Sequence, residues 1–297
     1  MPAIGLHITR TAGTSLHTAF GSKLERGQMY VCSSAIQRLR DNEFIVPGPL
    51  AVDRLLFIFG HYVHEHLVAA YPRRRVFLFT VLRDPIDRSL SNLRHINKLR
   101  ADIHEQPMEL AEYAATQSNT ICEELLRAFP SFRDDSRPLH RCALDILDLF
   151  DFVGLPHTLP QLAEHIAQKL EVAAPEIGVE NATQRNAPAQ GDTAAMTILR
   201  EKHSEDIALF DALRRRPDGL GRRPNKSDDA WDRFAAANPG TREEKIHSWL
   251  QHLRHYYVSE VKEFMKVEEA TQLLEEVRQQ HDQFTAAYRA LLDPNAT

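Results

Sequence analysis

The sequence predicts an α/β protein: an open parallel sheet flanked by helices, with a C-terminal helical extension. Three observations lead there. Residues 76–82, Val-Phe-Leu-Phe-Thr-Val-Leu, are short, β-branched and aromatic, and apolar on both faces, as a strand of a helix-covered parallel sheet must be. Similar runs alternate along the chain with stretches of helical period. The 297 residues are 43% hydrophobic and 26% charged, which excludes a disordered, collagenous or membrane-spanning chain.

The elements are expected in the following order. A first strand covers 3–8, a turn-rich string occupies 9–15, and a helix follows at 16–24. Residues 55–59 read as a buried strand ending at Gly60-His61, before a helix that runs to Tyr71. After strand 76–82, Pro85 supplies the fixed φ of a first helical turn, and Leu90, Leu93 and Ile96 carry the helix on. Further helices fall at 108–117, 121–129 and 143–149, a short strand at 152–154 and a helix at 159–170. Residues 1–215 thus form one α/β domain. At 216–240 Pro, Gly and charge displace apolar residues, so an exposed linker is expected. Thr241-Arg-Glu-Glu244 is a capping box. Behind it Ile246, Trp249, Leu250, Leu253 and Tyr257 follow helical spacing, and a second stripe runs from Ala270 to Leu291. The extension 241–297 is expected either to pack on the core or to form a homodimer.

Charge and cysteine content narrow the classes further. With 36 Lys and Arg against 41 Asp and Glu the net charge is −5, which argues against a nucleic-acid partner. Cys32, Cys122 and Cys142 form no CxxC pair and are odd in number, so neither a disulfide framework nor a zinc signature is present. The N-terminal residues lack a basic region followed by a long apolar one, and no apolar run is long enough to span a bilayer. A cytoplasmic protein is expected.

Two strings carry chemistry. His7-Ile-Thr-Arg-Thr-Ala-Gly-Thr-Ser-Leu16 lies between a strand and a helix, where backbone N–H groups and the helix dipole converge on an anion. Gly13 lets the backbone approach closely, Thr14 and Ser15 offer hydroxyls, and Arg10 adds a fixed charge. The string lacks the G-x-x-x-x-G-K-[ST] pattern of nucleotide triphosphatases. The second string is Arg83-Asp-Pro-Ile-Asp-Arg88-Ser-Leu-Ser91. Arg83 stands at the carboxyl end of the best strand, where open α/β sheets bind ligands, and Ser91 lies about two helical turns further on.

Together the strings resemble those of the PAPS-dependent sulfotransferases (PAPS is 3′-phosphoadenosine-5′-phosphosulfate), closest to the carbohydrate O-sulfotransferases that are heparan-sulfate 2-O-sulfotransferase-like. The family's 5′-phosphosulfate loop reads like H-I-P-K-T-G-G-T-S-L, and its 3′-phosphate motif like R-D-P-x-x-R-x-x-S. The resemblance covers roughly residues 1–215. It implies a P-loop-like sheet, PAPS as co-substrate, adenosine 3′,5′-bisphosphate as product, and no metal. It implies that Arg10, Thr11, Ala12, Gly13, Thr14 and Ser15 hold the 5′-phosphosulfate, and Arg83 and Ser91 the 3′-phosphate. Arg10 stands where the glycan branch usually has Lys; the protein-tyrosine branch is similar to this chain there. Arginine neutralises charge on the bridging oxygen without donating its proton. The family's His-Gly-His string is matched here by Phe59-Gly60-His61. His61 is therefore the expected general base, with His64, Glu65 and His66 as alternatives. The expected activity is sulfuryl transfer to a hydroxyl, on a glycan or glycolipid, with His61 and Arg10 as catalytic residues. A non-catalytic nucleotide-binding protein and an ATP-dependent P-loop kinase-like phosphotransferase are the alternative readings.

Overall fold

A computed structural model describes residues 1–33 apart from 12 and 26, 52–178 apart from 103, 193–222 apart from 218 and 219, and 228–264. Strand β1 (Ala3–His7) turns into helix α1 (Gly13–Gly21); β2 (Met29–Cys32) follows, and β3 (Phe57–Gly60) leads to α2 (Glu65–Ala69). Strand β4 (Phe77–Val81) runs into the long α3 (Pro85–Asp102). Helices α4 (Leu110–Thr116), α5 (Thr120–Ala128) and α6 (Leu139–Leu147) precede β5 (Phe152–Gly154) and α7 (Leu159–Leu170). The chain continues through α8 (Thr193–Lys202), α9 (Ser204–Arg215), the short β6 (Gly221–Arg222), α10 (Asp228–Ala237) and α11 (Arg242–Phe264).

The sheet order is β2-β3-β1-β4-β5-β6, parallel throughout except for β6 on β5. From β1 the chain travels toward the β2–β3 edge; from β4 it travels toward β5. The direction reverses between β1 and β4, which are hydrogen-bonded neighbours with His7 opposite Val81. Open sheets of this kind have a crevice at the carboxyl ends of the strands at such a switch point.

Period-two alternation sends the strand side chains into two cores, both apolar, which is why the strands read as continuous hydrophobic runs. Ala3, Phe57, Phe59, Phe77, Phe79 and Phe152 pack under α1 and α7. Ile4, Leu6, Ile58, Leu78 and Val153 pack on the opposite side under α2, α5, α6, α9, α10 and α11. A smaller cluster of Ile86, Tyr113, Ala114 and Leu199 joins α3, α4 and α8.

Several expectations change. Helix α1 begins at Gly13, not 16, because fully buried Thr11 closes the preceding turn by donating its Oγ1 hydrogen to the Ile8 carbonyl at 2.7 Å. Strand β2 was not expected; its four residues occupy the sheet edge and are only alternately buried. The exposed linker at 216–240 is corrected. Helix α10 lies within it and buries Ala230, Trp231 and Phe234 against the core, with Trp231 Nε1 donating to the Leu149 carbonyl at 3.2 Å. Helix α11 packs on the same core. Trp249 Nε1 donates to the Tyr62 carbonyl at 3.3 Å, and the Tyr257 and Tyr30 hydroxyls share a hydrogen bond of 3.0 Å. The second apolar stripe, from Ala270 to Leu291, and with it the homodimer reading, lies outside the described residues. Among the described residues no helix is long and apolar enough to cross a membrane.

Candidate functional site

The tip of β1 and the start of α3 lie side by side at the switch point, as two walls of the candidate site. On the first wall Arg10 adopts a left-handed backbone, φ +69°. That conformation costs a non-glycine residue about 1 kcal/mol and so must be held by its surroundings. Gly13 opens α1 directly against the His7 ring: a Cβ there would lie 2.2 Å from His7 Nε2, so the packing itself demands glycine. Ser15 is buried and Thr14 exposed, while Ala12 lies outside the described residues.

On the second wall the Asp84 carboxylate accepts from the N–H groups of Ile86 at 3.0 Å and Asp87 at 3.1 Å, capping the helix that Pro85 opens. Arg83 precedes this cap. Arg88, Ser91, Arg94 and His95 then recur along one side of α3 at helical spacing, Arg88 and Ser91 buried. Arg88 Nη1 donates to the Thr9 carbonyl at 3.4 Å and ties the two walls together.

These cations are close enough to act on one another. Burial first, then the charges of Arg83 and Arg94, lowers the Arg10 pKa; burial, then Arg10 and Lys98, lowers that of His95. Arg10 Nε, Arg88 Nε and Nη2, and Arg94 Nε are buried with no hydrogen-bond partner. A buried donor left unpaired costs about 1–3 kcal/mol, more when charged. Guanidinium groups cannot escape that cost by losing a proton. The donor set therefore fits a ligand carrying more than one anionic group, since phosphate and sulfate oxygens accept in the planar geometry a guanidinium offers.

His61 stands on the other side of β1, at the end of β3. Gly60 has φ +151°, and a Cβ on it would lie 2.2 Å from the Cys32 carbonyl oxygen, so glycine alone lets β2 and β3 close behind the histidine. The His61 ring stacks on His7 at 4.3 Å, and its Nδ1 lies 2.8 Å from the His7 carbonyl. A carbonyl only accepts, so Nδ1 carries the proton and Nε2 presents its lone pair. Burial lowers the His61 pKa, opposed by the Glu124 carboxylate and the His7 carbonyl, so the ring is neutral near pH 7. His7 itself stacks on Phe59 at 5.1 Å, and lies between His61 and Gly13.

Two of the three alternatives to His61 are otherwise engaged. Glu65 accepts from the Ser131 hydroxyl at 2.6 Å and its N–H at 3.0 Å. His64 is buried, caps α2 by accepting from His66 N–H at 3.3 Å, and lies against His252 of α11 with the rings tilted and 3.9 Å apart. His66 lies beside it, 4.8 Å between rings. Among the described residues no three His, Cys, Asp or Glu side chains are grouped to hold a metal.

Three contributors escaped the sequence reading. Arg88 was only a letter in a motif; Arg94 had no motif. Glu124, buried on α5, accepts from Thr9 N–H through Oε2 at 2.9 Å, a contact across 115 residues that no local pattern announces. Compared with family models, curated proteins and solved structures, the chain matches none.

Proposed function

We propose that the protein is a sulfotransferase that moves a sulfuryl group from PAPS to an acceptor hydroxyl on a carbohydrate. The observation that carries this reading is the convergence of Arg10, Arg88 and Arg94, each with a buried unpartnered guanidinium nitrogen, on the switch point between β1 and β4. The sheet order, with the anion loop after the central β1, supports a P-loop-like reading of the fold.

In this reading the loop of residues 10–15 holds the 5′-phosphosulfate end, and Arg83 and Ser91 the 3′-phosphate. Bound PAPS supplies an activated sulfuryl group on a phosphate leaving group. Arg10 and the N–H groups that open α1 offset charge growing on the sulfuryl and bridging oxygens; a preorganised donor of this kind contributes about 10²–10³ in rate. His61 Nε2 receives the acceptor's proton. Transfer forms the acceptor O–S bond, breaks the S–O bond to the 5′-phosphate, and releases adenosine 3′,5′-bisphosphate.

Arg83→Ala tests the assignment by calorimetric titration with two nucleotides. Affinity for adenosine 3′,5′-bisphosphate falls by about ten- to a hundredfold, the size of a charge-assisted hydrogen bond. Affinity for adenosine 5′-phosphate, which has no 3′ group, stays nearly constant. Equal losses for both nucleotides would remove the 3′-phosphate from Arg83.

A further inference from the structure

A cleft of about 710 Å3 opens between α5 and α11, lined among others by Glu123, Glu124, Arg127, Arg133, His252 and Tyr256. Three contacts tie it to the site described above. Glu124 lines the cleft and accepts from Thr9 N–H in the anion loop at 2.9 Å. Glu124 and Arg127 both act electrostatically on His61. Tyr256 stacks on Tyr62, the neighbour of His61, at 4.8 Å. The cleft is thus linked to the candidate base through Glu124, Arg127 and Tyr62.

Its charge differs from that of the anion crevice. Two carboxylates, Glu123 and Glu124, face two guanidinium groups, Arg127 and Arg133. Arg133 Nη2 is paired with Glu123 at 2.5 Å. No cationic excess is left for a chain of sulfates and carboxylates, and each such group brought in would lie near a carboxylate. The rest of the lining includes the hydroxyls of Thr116, Ser118 and Thr120; Thr116 and Ser118 donate to the Tyr113 and Lys202 carbonyls at 2.9 and 3.1 Å and keep lone pairs with which to accept. Tyr256, half-buried and fixed between Tyr62 and an edge contact with His252 at 5.2 Å, adds a rigid aromatic wall of the kind that packs on a sugar ring.

We propose that this cleft is the acceptor site and that α11 makes it selective for neutral, hydroxyl-rich glycosides over polyanionic glycosaminoglycan chains. The proposal rests on the sulfotransferase reading. It also gives a role to a helix that lies outside the stretch resembling sulfotransferases.

The test follows release of adenosine 3′,5′-bisphosphate from PAPS by the full chain, with a set of neutral oligosaccharide glycosides and with a heparin-derived tetrasaccharide. At least one neutral glycoside is turned over, with kcat/KM about tenfold or more above that for the heparin fragment. Tyr256→Ala raises KM for that glycoside about tenfold and leaves Kd for adenosine 3′,5′-bisphosphate within about twofold, while Tyr256→Phe keeps most of the affinity. Arg127→Gln, on the exposed part of the wall, raises the same KM and serves as the second variant. Preference for the heparin fragment overturns the proposal, as does a KM that neither variant moves. So does failure on every neutral glycoside by a protein that binds adenosine 3′,5′-bisphosphate. A wild-type chain that does not bind this nucleotide ends the sulfotransferase reading, and the acceptor cleft with it.

Discussion

Two polar clusters in this molecule invite opposite conclusions from their residue types and from their hydrogen bonds. Ser89, His203 and Asp206 have the composition of a nucleophile, a base and its orienting acid. Ser89 Oγ lies 3.1 Å from His203 Nε2, and His203 Nδ1 lies 3.2 Å from Asp206 Oδ2. Yet all three are 0% exposed, and Asp206 also accepts from the N–H groups of Ile121 at 3.0 Å and Cys122 at 2.8 Å. Every partner is internal: the chain clamps α3 and α9 to the start of α5. Around the tip of β1 the reverse holds. Arg10, Arg88 and Arg94 carry no catalytic signature by type, but their buried nitrogens lack partners. Satisfied polar groups mark architecture here; the unsatisfied cations are the candidate place for a ligand.

The sharpest way to break this contrast is Asp206→Ala. It strands two backbone donors and the His203 ring, so urea denaturation reads a loss of about 3–5 kcal/mol. Affinity of the remaining folded protein for adenosine 3′,5′-bisphosphate is unchanged. A variant that stays stable and loses nucleotide affinity would turn the buried triad into part of the site.

A third cluster limits the rule. His64 Nε2 is also buried and unpartnered, but an imidazole can shed its charge where a guanidinium cannot. Burial, then His252 and His66, pushes the His64 pKa down to about 3. Unfolded, the ring takes up its proton near pH 6.5. The unfolded state therefore binds more protons below that pH, so the stabilising contribution is complete above about pH 6.5 and is lost as pH falls toward 3. From pH 6.5 to 5 the loss from this group is about 2 kcal/mol, and His64→Gln flattens it. Denaturation curves with the same slope in wild type and variant would place the acid sensitivity elsewhere.

The smallest effect sharpens the contrast most. Arg88→Met replaces a buried charge, held by one long hydrogen bond to the Thr9 carbonyl, with an apolar side chain of similar length. Stability rises by about 1 kcal/mol, because two orphaned nitrogens disappear, while affinity for adenosine 3′,5′-bisphosphate falls. A destabilised variant with intact affinity would make Arg88 a structural tie between α3 and Thr9.

The parts of the fold that could be read from the chain are those whose causes are local. Residues 76–82 are apolar on both faces because both faces are covered, and Pro85 behind Asp84 opens a helix wherever it occurs. The turn after β1 and Arg83 at the end of β4 were legible for the same reason. What escaped depends on distant partners. Helix α10 was masked by Pro and Gly around it, and only the core it covers explains Trp231 and Phe234. Glu124 reaches the candidate site through the Thr9 N–H and its charge on His61, and Arg94 through its approach to Arg10. Neither relation leaves a mark in its own neighbourhood of sequence.

The docking of α11 on Tyr62 has a consequence for biosynthesis. The loop after β1, the strands beside it and α3 all precede residue 155, whereas Tyr256 and Trp249 follow about a hundred residues later. A ribosome therefore finishes the turn after β1 and helix α3, which carry the candidate anion site, well before it makes α11, and a chain cut short before α11 would leave Tyr62 and the core face beneath Trp249 and Leu253 uncovered.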